Sequence, residues 1–237
     1  MIEKAFVSFT TNDKYVRLSE IMIKSINHYS KYPLILYCVN FDAPDFKGNY
    51  KNVIYKRINF DPSKQVIYYL KPEIILDSID SFNVQNGVYI ESDDIATQNI
   101  DKLFDECDQT IEYPLSPIHP HDPNNQSEVM KYLGVNTKTI PYIHAHLVYS
   151  SRHREFISDW YQACVTLNFK VKANWDETVL NVMYWKYNAT KYIDYFYDPY
   201  YSQFLTNTDI PPHVYMLHGC KSYDIARKIY KKMIHNK

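Results

Sequence analysis

Cysteine is scarce and scattered in this chain. Cys38, Cys107, Cys164 and Cys220 stand far apart with no Cys-x-x-Cys spacing, which excludes a disulfide framework and a cysteine zinc site and reads as four reduced thiols. The sequons Asn125-Gln126-Ser127 and Asn188-Ala189-Thr190 are accordingly expected to carry no glycan. No uncharged run reaches the roughly 18 residues that a bilayer span requires, and Met1-Ile2-Glu3-Lys4 opens directly into a short apolar strand without a signal-peptide core. An excess of charge of one sign is lacking too. With 26 Lys and Arg against 27 Asp and Glu, and the lysines dispersed, no basic face is concentrated enough to make nucleic acid a partner. Glycine is down to four residues while tyrosine reaches 24, amid many lysines and asparagines. That bias suggests A/T-rich codons, hence a bacterial or viral source; the missing signal core and span are what predict a cytoplasmic protein, in a bacterial cell or an infected host. Internal repeats and low-complexity linkers are absent.

What is present is material for a core. A chain of 237 residues, 46% hydrophobic and 16% aromatic, fits one domain spanning 1–237. The first 40 residues read as a βαβ unit. Ala5-Phe6-Val7-Ser8-Phe9 suits a buried parallel strand, and Thr10-Thr11-Asn12-Asp13 follows as a polar turn with capping residues. Leu18, Ile21, Met22, Ile26 and Tyr29 recur at steps of three and four, one face of a helix on a sheet. Pro33 ends that helix, and Leu34 to Val39 and Asn52 to Ile58 read as strands. Pro72 primes a second crossover helix over Glu73 to Ile79, which leads through a break at Asn86-Gly87 into the strand Val88-Tyr89-Ile90. Strands separated by helices imply a mainly parallel α/β sheet, and such sheets bind ligands at the carboxyl ends of their strands. The proline-containing stretch from Tyr113 to Pro123 reads as an irregular loop. Beyond it the pattern predicts a strand over Ile143 to Tyr149, helices over Arg154 to Thr166 and Glu177 to Trp185, and a last short strand at Tyr215-Met216-Leu217.

One strand end carries chemistry. Glu91, Asp93 and Asp94 place three carboxylates within four residues just after Ile90, and burying them together is costly unless a cation compensates. Mg²⁺ or Mn²⁺ suits one or two such oxygens plus a pyrophosphate; a solvated turn capping the next helix is the plainer alternative. Three more segments draw notice: Tyr142-Ile143-His144-Ala145-His146, Trp175-Asp176-Glu177-Thr178, and Met216-Leu217-His218-Gly219-Cys220-Lys221. Taken alone, His-x-His suggests either zinc or a pair of core imidazoles, and Asp176-Glu177 either a reacting carboxylate or a helix cap.

Val88 to Ile95, followed by Asn99-Ile100-Asp101-Lys102-Leu103-Phe104, resembles the strand-DxD segment of GT-A glycosyltransferases, most closely glycosyltransferase family 8. The resemblance spans roughly residues 4 to 225, with the segments in the family's order. It implies an α/β Rossmann-like domain with a mainly parallel central sheet flanked by helices, divided into a nucleotide-binding half (1–112) and an acceptor-side half (113–237). It also implies transfer of a sugar from a nucleotide sugar, UDP-linked, to a saccharide or glycoconjugate acceptor, with retention. The site it implies has Glu91, Asp93, Asp94 and His218 around Mn²⁺ or Mg²⁺. Thr10, Thr11, Asn12, Tyr15, Lys71, Ser92, His144 and Lys221 would lie on the nucleotide-sugar donor. Asp176 and Glu177 would sit at the reacting centre, as a base in an inverting reaction or to steady positive charge in a retaining one.

The chain departs from the family pattern at three places. Glu91 stands where the first aspartate is usual, His144 and His146 where asparagine and glycine are usual, and His-Gly is shortened from His-x-x-x-Gly. Two competing readings follow. One is a metal hydrolase on His144, His146, Asp93 and His218; the other is a catalytically silent module that binds a nucleotide sugar. Tyr195, Tyr197, Tyr200 and Tyr201 are candidates for stacking on an acceptor sugar. The stripe Ile225, Ala226, Ile229, Tyr230, Met233 and Ile234, flanked by Arg227, Lys228, Lys231 and Lys232, reads first as a helix docking on the protein's own core and second as a peripheral membrane contact.

Overall fold

A computed structural model of the chain describes residues 1–11, 13–43, 50–106, 111–119, 126–168, 176–193, 197–198 and 214–235. The leading βαβ unit is strand β1 (Ile2–Thr10), helix α1 (Asp13–Tyr29) and strand β2 (Leu34–Val39), followed by β3 (Val53–Ile58), α2 (Leu70–Phe82) and β4 (Val84–Tyr89). A short β5 (Ile95–Ala96) and α3 (Leu103–Glu106) come next, then α4 (Gln126–Leu133), β6 (Val148–Ser150), α5 (Arg154–Leu167), α6 (Asp176–Lys186), β7 (Tyr197–Asp198), β8 (Met216–Leu217) and α7 (Tyr223–His235). The main sheet has the order β3-β2-β1-β4-β6, parallel except for β6, which runs antiparallel to β4. A smaller sheet, β5-β8-β7, lies at the end where β4 stops.

All six residues of β2 are buried, as a central parallel strand with both faces covered requires. Its alternation sorts the core. Ile35 and Tyr37, with Ala5 and Val7 of β1, pack against Ile74, Ile75 and Ile79 of α2 and the apolar faces of α5 and α6. Leu34 and Leu36, with Phe6, face Met22, Ile23 and Ile26 of α1. Leu18 and Ile21 of α1 turn away from the sheet toward Ala226 and Ile229 of α7. The C-terminal stripe therefore docks on the protein's own core, with Arg227, Lys228 and Lys231 exposed behind it. No helix among the described residues is long and apolar enough to cross a membrane.

Two segments differ from expectation. The break before β4 comes at Asn83 and not at Asn86-Gly87: Asn83 ends α2 in the left-handed region (φ 52°), which asparagine tolerates better than most residues. Gly87 is instead a strand residue opposite Tyr149 of β6. A Cβ there would stand 2.1 Å from Cζ of the Tyr149 ring, so the glycine makes room for an aromatic ring whose hydroxyl is 2.7 Å from Ser78 Oγ. The strand expected over Ile143 to Tyr149 is shorter, Val148–Ser150. Ile143, ahead of it, is held by an isolated bridge to Ile118 and by side-chain clamps from α6, and Val148 at its start bridges to Leu115.

Candidate functional site

The carboxyl ends of β1 and β4 meet at one cavity of about 670 Å³. After Tyr89 the chain enters a tight turn in which Asp94 N–H donates to Glu91 O at 3.1 Å. The Asp94 side chain folds back so that its Oδ2 accepts the Glu91 N–H at 2.6 Å. The turn runs straight into β5, whose antiparallel register on β8 pairs Ile95 with Leu217. One step further along that ladder, Asp94 stands opposite His218. Their contact is short: His218 Nδ1 lies 2.8 Å from Asp94 Oδ1. Beyond β8 the chain returns over the turn, Cys220 N–H donating to Asp93 O at 3.3 Å, and this sets Gly219 and Lys221 at the cavity wall.

The opposite wall comes from α6 and the segment before β6. Asp176 and Glu177 form the first turn of α6, where the helix dipole favours carboxylates. Trp160 Nε1 donates to Asp176 O at 3.1 Å. Asn181, one turn on, accepts the Ile143 N–H and donates to Ile143 O and Glu177 O, each at 2.8 Å, so that the segment carrying His144 is fastened to the helix carrying Glu177. Ala145 N–H also donates to Glu177 Oε2 at 3.2 Å. Lys71 of α2 joins the two walls. Its Nζ lies 2.8 Å from Asp176 Oδ2 and 3.0 Å from Glu91 Oε1, and both Lys71 and Asp176 are under 5% exposed.

Of the residues singled out from the sequence, Thr11, Tyr15, Lys71, Glu91, Ser92, Asp93, His144, Asp176, Glu177, His218 and Lys221 all line this one cavity. Thr10 does not; it is fully buried within β1. Asn12 lies outside the described residues, as do Tyr195, Tyr200 and Tyr201 of the tyrosine group. Asp94 stands behind the wall, 2% exposed, with Oδ2 also 2.9 Å from His146 Nε2. Both its oxygens are thus engaged. His146, fully buried, is engaged at both ring nitrogens, its Nδ1 lying 2.6 Å from His144 Nδ1. The donor atoms of Asp94, His146 and His218 lie within 4.8 Å of one another, with Asp94 bonding the two imidazoles at 2.8–2.9 Å, a second group beside the Glu91 wall that could hold a metal. The set His144, His146, Asp93 and His218 is not among the groups whose donor atoms all lie within 4.8 Å of one another among the described residues. Residues that the sequence reading passed over are Phe9, Ile67, Tyr68, Tyr89 and His119 on the lining. His119 sits in the proline-containing loop, and what brings it in is the Ile118–Ile143 bridge, which no local pattern announces.

The electrostatics are those of crowded acids. Burial, with repulsion from Glu91 and Asp94, pushes the Asp93 carboxyl up to about 7. Burial and the adjacent Asp176 do the same for Glu177, also to about 7. Burial would raise Glu91 as well, but Lys71 and the imidazoles of His218 and His146 outweigh it and bring that carboxyl down to about 2. His218 is the reverse case. Burial lowers it, and the bond and charge of Asp94, with Glu91 and Asp93, override that and lift it to about 9. Glu91, Asp93 and His218 each offer one donor atom within 4.8 Å of the others. Two oxygens and an imidazole nitrogen, with an acid held uncomfortably among acids, fit a divalent cation of the Mn²⁺ or Mg²⁺ kind.

In fold the chain is similar to the galactosyltransferase LgtC, solved in complex with donor and acceptor sugar analogues, with a TM-score of 0.68 over 98% of this chain and 95% of that one, at 12% identity. The expected GT-A architecture, a mainly parallel sheet flanked by helices, is borne out. No protein-family model matches the sequence, and no curated protein does.

Proposed function

We propose that the protein is a metal-assisted glycosyltransferase that moves a sugar from a nucleotide sugar, UDP-linked, to a saccharide or glycoconjugate acceptor. The observation that carries this is the convergence, in one cavity at the carboxyl ends of a GT-A sheet, of a metal-suited set (Glu91, Asp93, His218) on one wall and a carboxylate pair (Asp176, Glu177) on the other. Residues 1–112 would supply most of the nucleotide wall, and 113–237 the acceptor wall of a single catalytic domain.

Glu91, Asp93 and His218 would hold the cation, which supplies charge neutralisation at the donor diphosphate as it leaves. Asp94 fixes the His218 ring through Nδ1, as carboxylates commonly fix metal-binding histidines. Thr11, Tyr15 and Ser92 lie where nucleoside and sugar hydroxyls would be gripped, and exposed Lys221 at the rim suits the diphosphate. Lys71, committed to Glu91 and Asp176, holds the two walls in register. Glu177 is the better placed of the acidic pair for proton chemistry, since its pKa near 7 suits a base working at neutral pH; in a retaining reaction the same carboxylate would steady the positive charge at the anomeric carbon.

The test is thermal stabilisation across a panel of nucleoside diphosphates and nucleotide sugars, with and without Mn²⁺. A uridine diphosphate compound is expected to raise Tm only when Mn²⁺ is present, and Asp93→Ala to abolish that metal-dependent part. The reading fails if no nucleoside diphosphate shifts melting even with metal.

A further inference from the structure

Four residues of the cavity lining take no part in the metal set or the reacting carboxylates. They are Phe9 near the end of β1, Tyr15 in the first turn of α1, and Ile67 and Tyr68 of a tight helical turn, Ile67–Tyr69, that leads into α2. None carries a charge at neutral pH. Tyr68 stands out among them: it is 44% exposed, while Tyr69 beside it is fully buried in the core. An aromatic ring left open to water on a cavity wall forgoes the burial that stabilises its neighbour.

That exposure belongs to a fixed segment. Asn168, just past α5, clamps the chain ahead of the turn, its Oδ1 accepting the Val66 N–H at 3.2 Å and its Nδ2 donating to Lys64 O at 2.6 Å. Tyr69 N–H donates to Val66 O at 3.0 Å, and the buried Tyr69 ring anchors the other side. Tyr68 is thus presented to the cavity by backbone that is held before and after it. The chemistry of the ring selects its partner. An aromatic face packs on a flat, weakly polar group, and every nucleobase offers two such faces. The other parts of a nucleotide-sugar reaction are drawn elsewhere, the diphosphate to the cation at Glu91, Asp93 and His218 and the acceptor hydroxyl to Glu177 in the first turn of α6. Tyr15 connects the metal end to the exposed ring: its phenol is raised by burial first, then by Asp93, Tyr68 and Glu91, so it lies within electrostatic reach of both.

We propose that Tyr68 stacks on the nucleobase of the donor and forms, with Tyr15, Phe9 and Ile67, the apolar seat of the base. The proposal rests on the nucleotide-sugar reading and names a residue which that reading leaves unassigned. It is tested by calorimetric titration of the full-length protein with UDP, ADP, GDP and inorganic pyrophosphate, all with Mn²⁺. For each nucleoside diphosphate that the parent binds, Tyr68→Ala is expected to raise Kd roughly 5–150-fold, the range for loss of one base–aromatic stack. Pyrophosphate, which has no base, should bind the variant as it binds the parent. Tyr68→Phe keeps the face and loses only the hydroxyl, so it should stay within about twofold of the parent, far inside the effect of a lost stack. The ring is exposed, so neither variant removes core. Nucleoside diphosphate affinity unchanged in Tyr68→Ala, an equal loss for pyrophosphate, or a Tyr68→Phe protein as weak as Tyr68→Ala each overturns the proposal and leaves the transferase reading standing. A parent that binds none of the three nucleoside diphosphates overturns both.

Discussion

Replacing Lys71 is the sharpest test of how the two walls are held together. Lys71→Met keeps the stem that lies over the Tyr89 ring, the ammonium being 5.1 Å from its centroid, and removes the charge alone. Asp176 then loses its cationic partner at 2.8 Å while remaining 3% exposed, and Glu91 loses its own at 3.0 Å. Removing one member of a buried ion pair costs about 3–5 kcal/mol because the other charge stays buried. In a chain of this length each kcal/mol moves Tm by about 2–4 °C, so a fall of about 6–20 °C is expected at pH 7.5. The sign of the pH dependence follows from the carboxylate. Burial already raises Asp176, and Lys71 pulls it back down; without Lys71 the native state holds the Asp176 proton more tightly still. A carboxylate raised in the native state loses stability as pH climbs from its unfolded value of about 3.9 through the native one, so the mutant's deficit should shrink at pH 5. Differential scanning calorimetry at both pH values measures this, and Asp176→Asn in the Lys71→Met background should recover part of the loss. A Lys71→Met protein within about 1 kcal/mol of the parent at pH 7.5, or one with the same deficit at both pH values, would refute the reasoning.

Gly87→Ala should destabilise by about 1–3 kcal/mol or more, as overpacking does, because the new methyl would strike the fully buried Tyr149 ring; urea titration reads it, and Gly87→Ala with Tyr149→Leu should restore much of the loss. Asp94→Asn should weaken Mn²⁺ binding about 10–100-fold by calorimetric titration while leaving all cavity-lining donors in place, since it frees the His218 ring from its carboxylate. Asp77 accepts from Tyr37 Oη at 2.6 Å and from Lys56 at 2.7 Å; burial raises its pKa, and these bonds outweigh burial and depress it. Asp77→Asn should therefore cost about 1–3 kcal/mol near neutrality. Because a depressed carboxylate stabilises above its unfolded pKa, the difference from the parent should vanish as pH falls through the native value, in urea melts at pH 7 and pH 3.

The parts of this molecule that announce themselves locally were legible. The period of three and four in α1, the apolar runs of β1 and β2 and the acidic end of β4 each encode their own conformation, and their succession implied a parallel sheet with a ligand at its carboxyl end. The break at Asn86-Gly87 misled because glycine is the commoner residue at a turn. Here Asn83 took the left-handed position, and Gly87 answered a steric demand made by Tyr149, 62 residues away. Thr10 looked like a loop residue and is the buried last residue of β1, a one-residue boundary matter that decides whether its side chain meets the cavity. Asp94 looked equivalent to Asp93. Only the β5–β8 register, which sets it opposite His218, separates the residue that lines the cavity from the one that stands behind it.

The departures at His144, His146 and Glu91 make sense as one connected change. An aspartate at position 94 buries a carboxylate behind the wall, which needs donors; His146 and His218 supply them on two sides. His146, so committed at Nε2, meets His144 at Nδ1, and His144 Nε2 lies 3.7 Å from Glu177 Oε2. Glu91, with a reach one methylene longer than aspartate, touches Lys71 at 3.0 Å, and that lysine in turn holds Asp176. A chain of polar contacts thereby runs behind the cavity from one wall to the other, each member fixing the next. Substituting any one of them alone leaves a buried donor or acceptor unmet. Asp94, His146 and His144 should for that reason behave as a unit, with the His146→Asn change tolerated far better when Asp94 is also made apolar than when it is left charged.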